Sequence, residues 1–105
     1  QAGHPTTIKY WDSMADGVSA VGAADFPLRH LQRYLDEIVL ISEADIAATF
    51  RTLLFRGKVL SEPAGAVAAA AFLAGKADKG KRTVALVSGG NVTEDMVQKM
   101  LAMSA

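Results

Sequence analysis

With 105 residues, 50% of them hydrophobic and 21% charged, the chain suits one small globular domain with a sizeable apolar core and excludes a disordered or fibrous polypeptide. A formal net charge of +0, with 11 Lys and Arg scattered and not interleaved with aromatics, gives no electrostatic ground for nucleic-acid binding or for a membrane surface. Cysteine is absent, which removes disulfide and thiolate chemistry and points toward the cytoplasm.

The chain starts at Gln1, and no charged stretch followed by an apolar core comes after it. No signal peptide is read there, and a piece of a longer protein is expected. The longest apolar run free of charge, residues 63–75, is too short to span a bilayer.

Residues 1–7 carry Gly3 and Pro5 and read as irregular, and residues 8–14 show no clear period. Asp16-Gly17 is a turn signal, followed by a small apolar stretch, residues 18–21, that offers one or two helical turns before Gly22. Asp25-Phe26-Pro27 opens a helix, with proline in the first turn where its missing N–H costs nothing. Leu28, Leu31 and Leu35 then share a face, with His30 on the polar side. Residues 37–41 form an aliphatic run of strand length. Ser42 is an N-cap with Asp45 at capping-box spacing, and Ile46, Phe50, Leu53 and Leu54 mark an amphipathic helix ending at Arg56-Gly57.

Residues 58–60 read as short and extended. Glu62-Pro63 starts the next helix, residues 64–75, which has no polar side chain on any face and is therefore expected to be buried on all sides. Its alanines and Gly65 allow neighbouring backbones to come close. Residues 76–81 are an exposed connection to a short buried strand, residues 83–87. Ser88-Gly89-Gly90-Asn91 follows at once, and Thr93-Glu94-Asp95 opens a last helix to about Met103, with Met96, Val97, Met100 and Leu101 as its apolar stripe. Alternation of this kind predicts an α/β chain, a parallel sheet with helices on its faces. Two or three strands cannot cover a helix as apolar as residues 64–75, so further strands or another chain must complete the sheet.

A strand, a glycine turn and a helix in succession make a ligand site at the strand's carboxyl end. Ser88 there is either a hydroxyl for a planar ligand or a turn residue satisfying backbone. Gly89 and Gly90 free the backbone but lack the spacing of a phosphate loop. Glu62 more simply meets the unpaired N–H groups of the helix it precedes, or else orients a ligand. Asp16 is a turn residue, or a ligand contact if its loop faces the cleft. His4 and His30 stand far apart without neighbours at ligand spacing, so no metal site is read, and Met96, Met100 and Met103 are core residues first.

Ala15-Asp16-Gly17-Val18, Glu62-Pro63-Ala64-Gly65-Ala66 and Ser88-Gly89-Gly90-Asn91-Val92, with residues 36–43 between the first two, occur in the order found in a known family. The chain resembles the C-terminal part of the fold-type-II pyridoxal-phosphate enzymes of the threonine dehydratase and serine racemase group, from about Thr6 onward. The resemblance implies a partial three-layer parallel sheet with helices on both faces, like the C-terminal half of the large domain of the tryptophan-synthase-β-like fold. It implies one unit over residues 1–105, with the small domain and the Schiff-base lysine region absent.

By the same resemblance, Ser88 hydrogen-bonds the pyridine nitrogen of pyridoxal 5'-phosphate, Gly17 lies against the ring, Glu62 sits near the pyridine edge, and Gly89 and Gly90 line the pocket floor. None of these is the catalytic base, and the family's S-F-K-x-R-G lysine segment has no counterpart among these residues. The implied parent converts a β-hydroxy amino acid to a 2-oxo acid and ammonia, while this chain alone is expected to be inactive. The alternatives are a serine racemase fragment, or a non-catalytic α/β association module that forms homo-oligomers through exposed strand edges and an uncovered apolar face.

Overall fold

A computed structural model of the chain describes residues 3–77, 80 and 82–103. Its centre is the helix whose start signal is the clearest in the sequence. Ser42 has an extended backbone and its Oγ accepts the amide of Asp45 at 3.1 Å, which begins α2, Glu43–Thr52. The reciprocal half of the box differs from the usual form, because Ser42 Oγ donates to Asp45 Oδ2 at 2.6 Å. Ile46, Ala47, Thr49 and Phe50 are the buried residues of this helix. It runs into a π-helical turn, Leu53–Gly57, and closes at Lys58, which takes the left-handed conformation at φ 56°. The helix thus ends where Arg56-Gly57 marked it, but the positive φ falls one residue beyond the glycine.

Around α2 stand α3, Pro63–Leu73, and α4, Glu94–Met103, both packed against it. The core joins Ile46, Ala47 and Phe50 to Ala66 and Ala70 of α3, Met100 of α4, and Met14 and Ala15 of the N-terminal loop. Met96, Val97 and Leu101 pack partly buried against it, so the stripe read from the sequence is the face that docks. Met103 departs from its expected core role and is exposed, at the rim of a cleft it shares with Ser13, Met14 and Glu43. α1, Asp25–Tyr34, begins at the expected Asp25-Phe26-Pro27 but has no buried residue. Residues 18–21 are not a helix of their own; the local helix is a single 3-10 turn, Asp16–Val18.

Two sequence expectations meet a different outcome. α3 is apolar on every face, yet only Pro63, Gly65, Ala66, Ala69 and Ala70 are buried, while Ala68 and Leu73 are exposed. α2, the 3-10 turn and the backbone of residues 88–89 pack against it, and the surface at Ala68 and Leu73 stays open. The aliphatic runs 37–41 and 83–87 are without helix and belong to no β-ladder among the described residues. The strand expected to be buried is open to solvent, with Val84 93% and Leu86 74% exposed, and Leu40 in the other run is 82% exposed. Their composition suits strands buried on both faces, a state that requires neighbours on either side. Among the described residues the only β pairing is an isolated antiparallel bridge between Thr7 and Gly22. No described helix is long and apolar enough to cross a membrane. Of the 76–81 connection, Lys76 and Gly80 are exposed and Ala77 is half-buried, while residues 78, 79 and 81 lie outside the described residues.

Because α2 carries the core, its substitutions set the stability of the chain. Phe50→Ala, at a side chain 1% exposed, lowers the unfolding free energy by about 3–5 kcal/mol. Loss of the cap in Ser42→Ala costs about 1 kcal/mol. Urea denaturation followed by circular dichroism measures both, and equal effects would contradict this placement of the core.

Candidate functional site

The motif-bearing segments, far apart in sequence, meet at the start of α3. Pro63 occupies the first helical position and Glu62, extended at φ −73° and ψ 163°, is the N-cap. The Glu62 amide donates to the carbonyl of Gly89 at 3.0 Å, which ties the glycine turn to the helix entrance. One turn into the helix, Gly65 lies directly under the same segment. A Cβ there would overlap the carbonyl of Ser88, and it would come within 3.3 Å of the Gly89 oxygen. The close approach requires glycine at 65. Gly89 requires it for two reasons, since it has φ +74° and a Cβ on it would run into the Glu62 carboxylate.

Glu62 does not take the role its position suggests. Its side chain makes no capping hydrogen bond to α3. The carboxylate instead lies between Gly89 and the 3-10 turn, where a Cβ on Gly17 would stand 3.3 Å from Oε1 and 2.9 Å from the Cβ of Ala64. Gly17 therefore has a steric need of its own for glycine, its close contact with α3. Ser88 is exposed at the end of the extended run, and Glu62 is half-buried. Gly90 has room for a side chain, a Cβ there meeting only the Leu60 oxygen at an ordinary contact distance of 3.7 Å.

Beside this junction a cleft of about 210 Å³ is lined by Asp16, Glu62, Pro63, Asn91, Val92, Thr93 and Met96, so that of the expected cofactor contacts only Glu62 faces it. Thr93 caps α4 there, its Oγ1 accepting the Met96 amide at 3.3 Å. Asp16, left open between turn residue and ligand contact, heads the 3-10 turn and also faces this cleft. Gly17, Glu62, Ser88 and Gly89 are thus brought together, with Gly90 at the margin. The histidines are not part of the junction: His4 is exposed and bonds the neighbouring Pro5 carbonyl, and His30 bonds the Phe26 carbonyl of its own helix.

Two features had no local signal in the sequence. Ser61 is buried beside Glu62, with no hydrogen-bond partner for its hydroxyl among the described residues. Glu43, at the start of α2, accepts from Ser13 Oγ at 2.6 Å and from the Met14 amide at 3.2 Å. Contacts across some thirty residues leave no periodicity to read.

The profile of the pyridoxal-phosphate dependent enzyme family matches residues 1–89. Curated relatives include an L-threonine ammonia-lyase of Thermotoga maritima, 35% identical over 89 residues that make up 85% of this chain and 22% of the relative. The catabolic L-threonine dehydratase of Escherichia coli K12 is 34% identical over 102 residues, covering 94% of this chain and 31% of the relative. Among solved structures, a threonine deaminase of T.th. superposes with a TM-score of 0.72 at 30% identity, over 88% of this chain and 31% of that one. The chain therefore spans between 22% and 31% of the length of these relatives.

The glycines at the junction differ in what they permit. Gly65→Ala, which forces a side chain into the Ser88 carbonyl, costs about 1–3 kcal/mol and displaces the 88–91 turn. Gly90→Ala, with room for a methyl group, stays within about 0.5 kcal/mol of the parent. Denaturation midpoints with amide chemical shifts of residues 88–92 test the pair, and equal tolerance of both substitutions would contradict the close approach.

Proposed function

Because the chain belongs to the pyridoxal-phosphate dependent enzyme family, we propose that it is the segment of a threonine or serine dehydratase that holds the pyridine end of the cofactor. The observation that supports this most is the convergence of Gly17, Glu62, Ser88 and Gly89 on the entrance to α3. The residues suit that end of the group. Ser88 offers an exposed hydroxyl on a turn whose backbone is immobilised from below, and the glycines leave its surroundings clear of side chains. Gly89 and Gly90 lack the spacing of a phosphate loop, and by the family resemblance the phosphate is held elsewhere in the complete protein.

Pyridoxal phosphate, when bound, supplies the electron sink that lets a bond to the α-carbon of an amino acid break and a β-hydroxyl leave. Ser88 donates its hydroxyl hydrogen to the ring nitrogen. Being neutral, it does not hold that nitrogen protonated as a carboxylate partner would, and this electronic setting suits β-elimination better than transamination. Gly17 gives the ring a surface without a side chain, and Glu62 sets the spacing between the Gly17 and Gly89 turns near the pyridine edge. Gly89 and Gly90 form the floor. The reaction so supported converts a β-hydroxy amino acid to a 2-oxo acid and ammonia. The cofactor-bearing lysine segment of the family has no counterpart in these 105 residues, so the chain by itself does not turn over threonine.

In the complete fold, residues 37–41 and 83–87 are strands of a parallel sheet with helices on both faces. A polypeptide presenting them uncovered associates with copies of itself. Analytical ultracentrifugation of the 105-residue chain is expected to give a dimer or larger species, and a clean monomer contradicts this.

The function is tested by a chimera in which this chain replaces the matching segment of the Thermotoga maritima L-threonine ammonia-lyase. It is expected to bind pyridoxal phosphate and release 2-oxo acid from threonine. Ser88→Ala within it lowers turnover by roughly ten- to a hundredfold, the effect of losing one hydrogen bond to a polarised group. Undiminished turnover in that variant would overturn the role of Ser88.

A further inference from the structure

The turn that carries Gly17 is itself part of no strand or long helix. Asp16–Val18 is a single 3-10 turn in a loop, and none of its own residues is buried. What precedes it is fixed tightly. Glu43, in the first turn of α2, accepts Ser13 Oγ at 2.6 Å on one carboxylate oxygen and the Met14 amide at 3.2 Å on the other. Ser13 Oγ in turn accepts the Ala15 amide at 3.0 Å, so one hydroxyl joins the loop backbone to the carboxylate. Met14 and Ala15, held in this way, are themselves members of the core. On the far side of the turn, Ser19 Oγ donates back to the Ala15 carbonyl at 2.9 Å.

An acidic residue in the first turn of a helix favours the helix dipole in any case. That role needs no partner in another part of the chain, yet both oxygens of Glu43 are used on the loop. Hydrogen bonds to a charged acceptor are the strong ones, and a half-buried location shields them from competing water. Two residues beyond the last of these bonds comes Gly17, packed against Ala64 and Glu62 with no slack for a methyl group.

We propose that Ser13 and Glu43 form a clasp whose task is to position the Gly17 turn against the entrance of α3, making both of them positioning residues of the cofactor site. The inference deepens the functional reading above and rests on it for what the turn faces; the clasp itself rests on the hydrogen bonds alone. Glu43→Gln keeps the shape of the side chain but removes its charge, and its amide nitrogen can meet Ser13 only by donating to the hydroxyl instead of accepting from it, which weakens the contact. Ser13→Ala removes the hydroxyl, and Ser13→Thr retains it.

Hydrogen exchange on the 105-residue chain tests the clasp. Glu43→Gln and Ser13→Ala are each expected to speed exchange of the Met14, Ala15 and Val18 amides by about tenfold or more, relative to residues 66–70 of α3 in the same sample. Ser13→Thr restores the parent rates. In the Thermotoga chimera, Glu43→Gln is expected to weaken pyridoxal 5'-phosphate binding, titrated by its absorbance, by about tenfold. Unchanged exchange in both Glu43→Gln and Ser13→Ala overturns the clasp. Faster exchange with unaltered cofactor affinity reduces it to a scaffold contact and overturns the positioning role. An unsubstituted chimera that binds no pyridoxal phosphate sinks the functional reading, and the exchange data then decide the clasp by themselves.

Discussion

The backbone of residues 88–89 rests on α3 at Gly65, where a side chain of any size would strike the Ser88 carbonyl. The placement of the whole site follows from that approach. With Ser88 seated on the helix, the Gly89 carbonyl is in reach of the Glu62 amide, and the chain turns at a positive φ that glycine accommodates. The turn then delivers Thr93 to cap α4, whose Met100 completes the core against α2. A contact between two backbones thus links the packing of the helices to the exposure of the Ser88 hydroxyl.

A second constraint comes from the opposite direction. Gly17 reaches α3 from the N-terminal loop, and Glu62 lies between the two glycine turns instead of capping its own helix. A carboxylate in that gap keeps Gly17 and Gly89 apart by the width of one side chain. The spacing of the site is therefore a matter of which residues lack a Cβ and which one fills the space. The chain belongs to the pyridoxal-phosphate dependent enzyme family and spans 31% of the threonine deaminase that it resembles.

Much of this could be read from the sequence where the signal was local. Ser42 and Asp45 marked the start of α2, and the Met96, Val97, Met100 and Leu101 stripe gave the buried face of α4. Ser88, Gly89, Glu62 and Gly17 stood out through motif resemblance, and they lie together. Local pattern could not reveal what depends on distant partners. Residues 83–87 have the composition of a buried strand but stand in solvent, because burial requires neighbours that the described residues do not provide. α3 is half-covered for the same reason. Nothing in the sequence reports that Ser13 will come to the Glu43 carboxylate, thirty residues away. The expected capping role of Glu62 failed because the glycines on either side of it open a better-filled space.

The central claim is that the glycine turn is fastened to the entrance of α3, and its most direct test is a scalar coupling across the hydrogen bond between the Glu62 nitrogen and the Gly89 carbonyl carbon. At a donor–acceptor distance of 3.0 Å, the coupling is expected to be measurable in the labelled chain, with the Glu62 amide slow to exchange. No coupling, together with exchange at the rate of an unstructured amide, would contradict the arrangement on which the site depends.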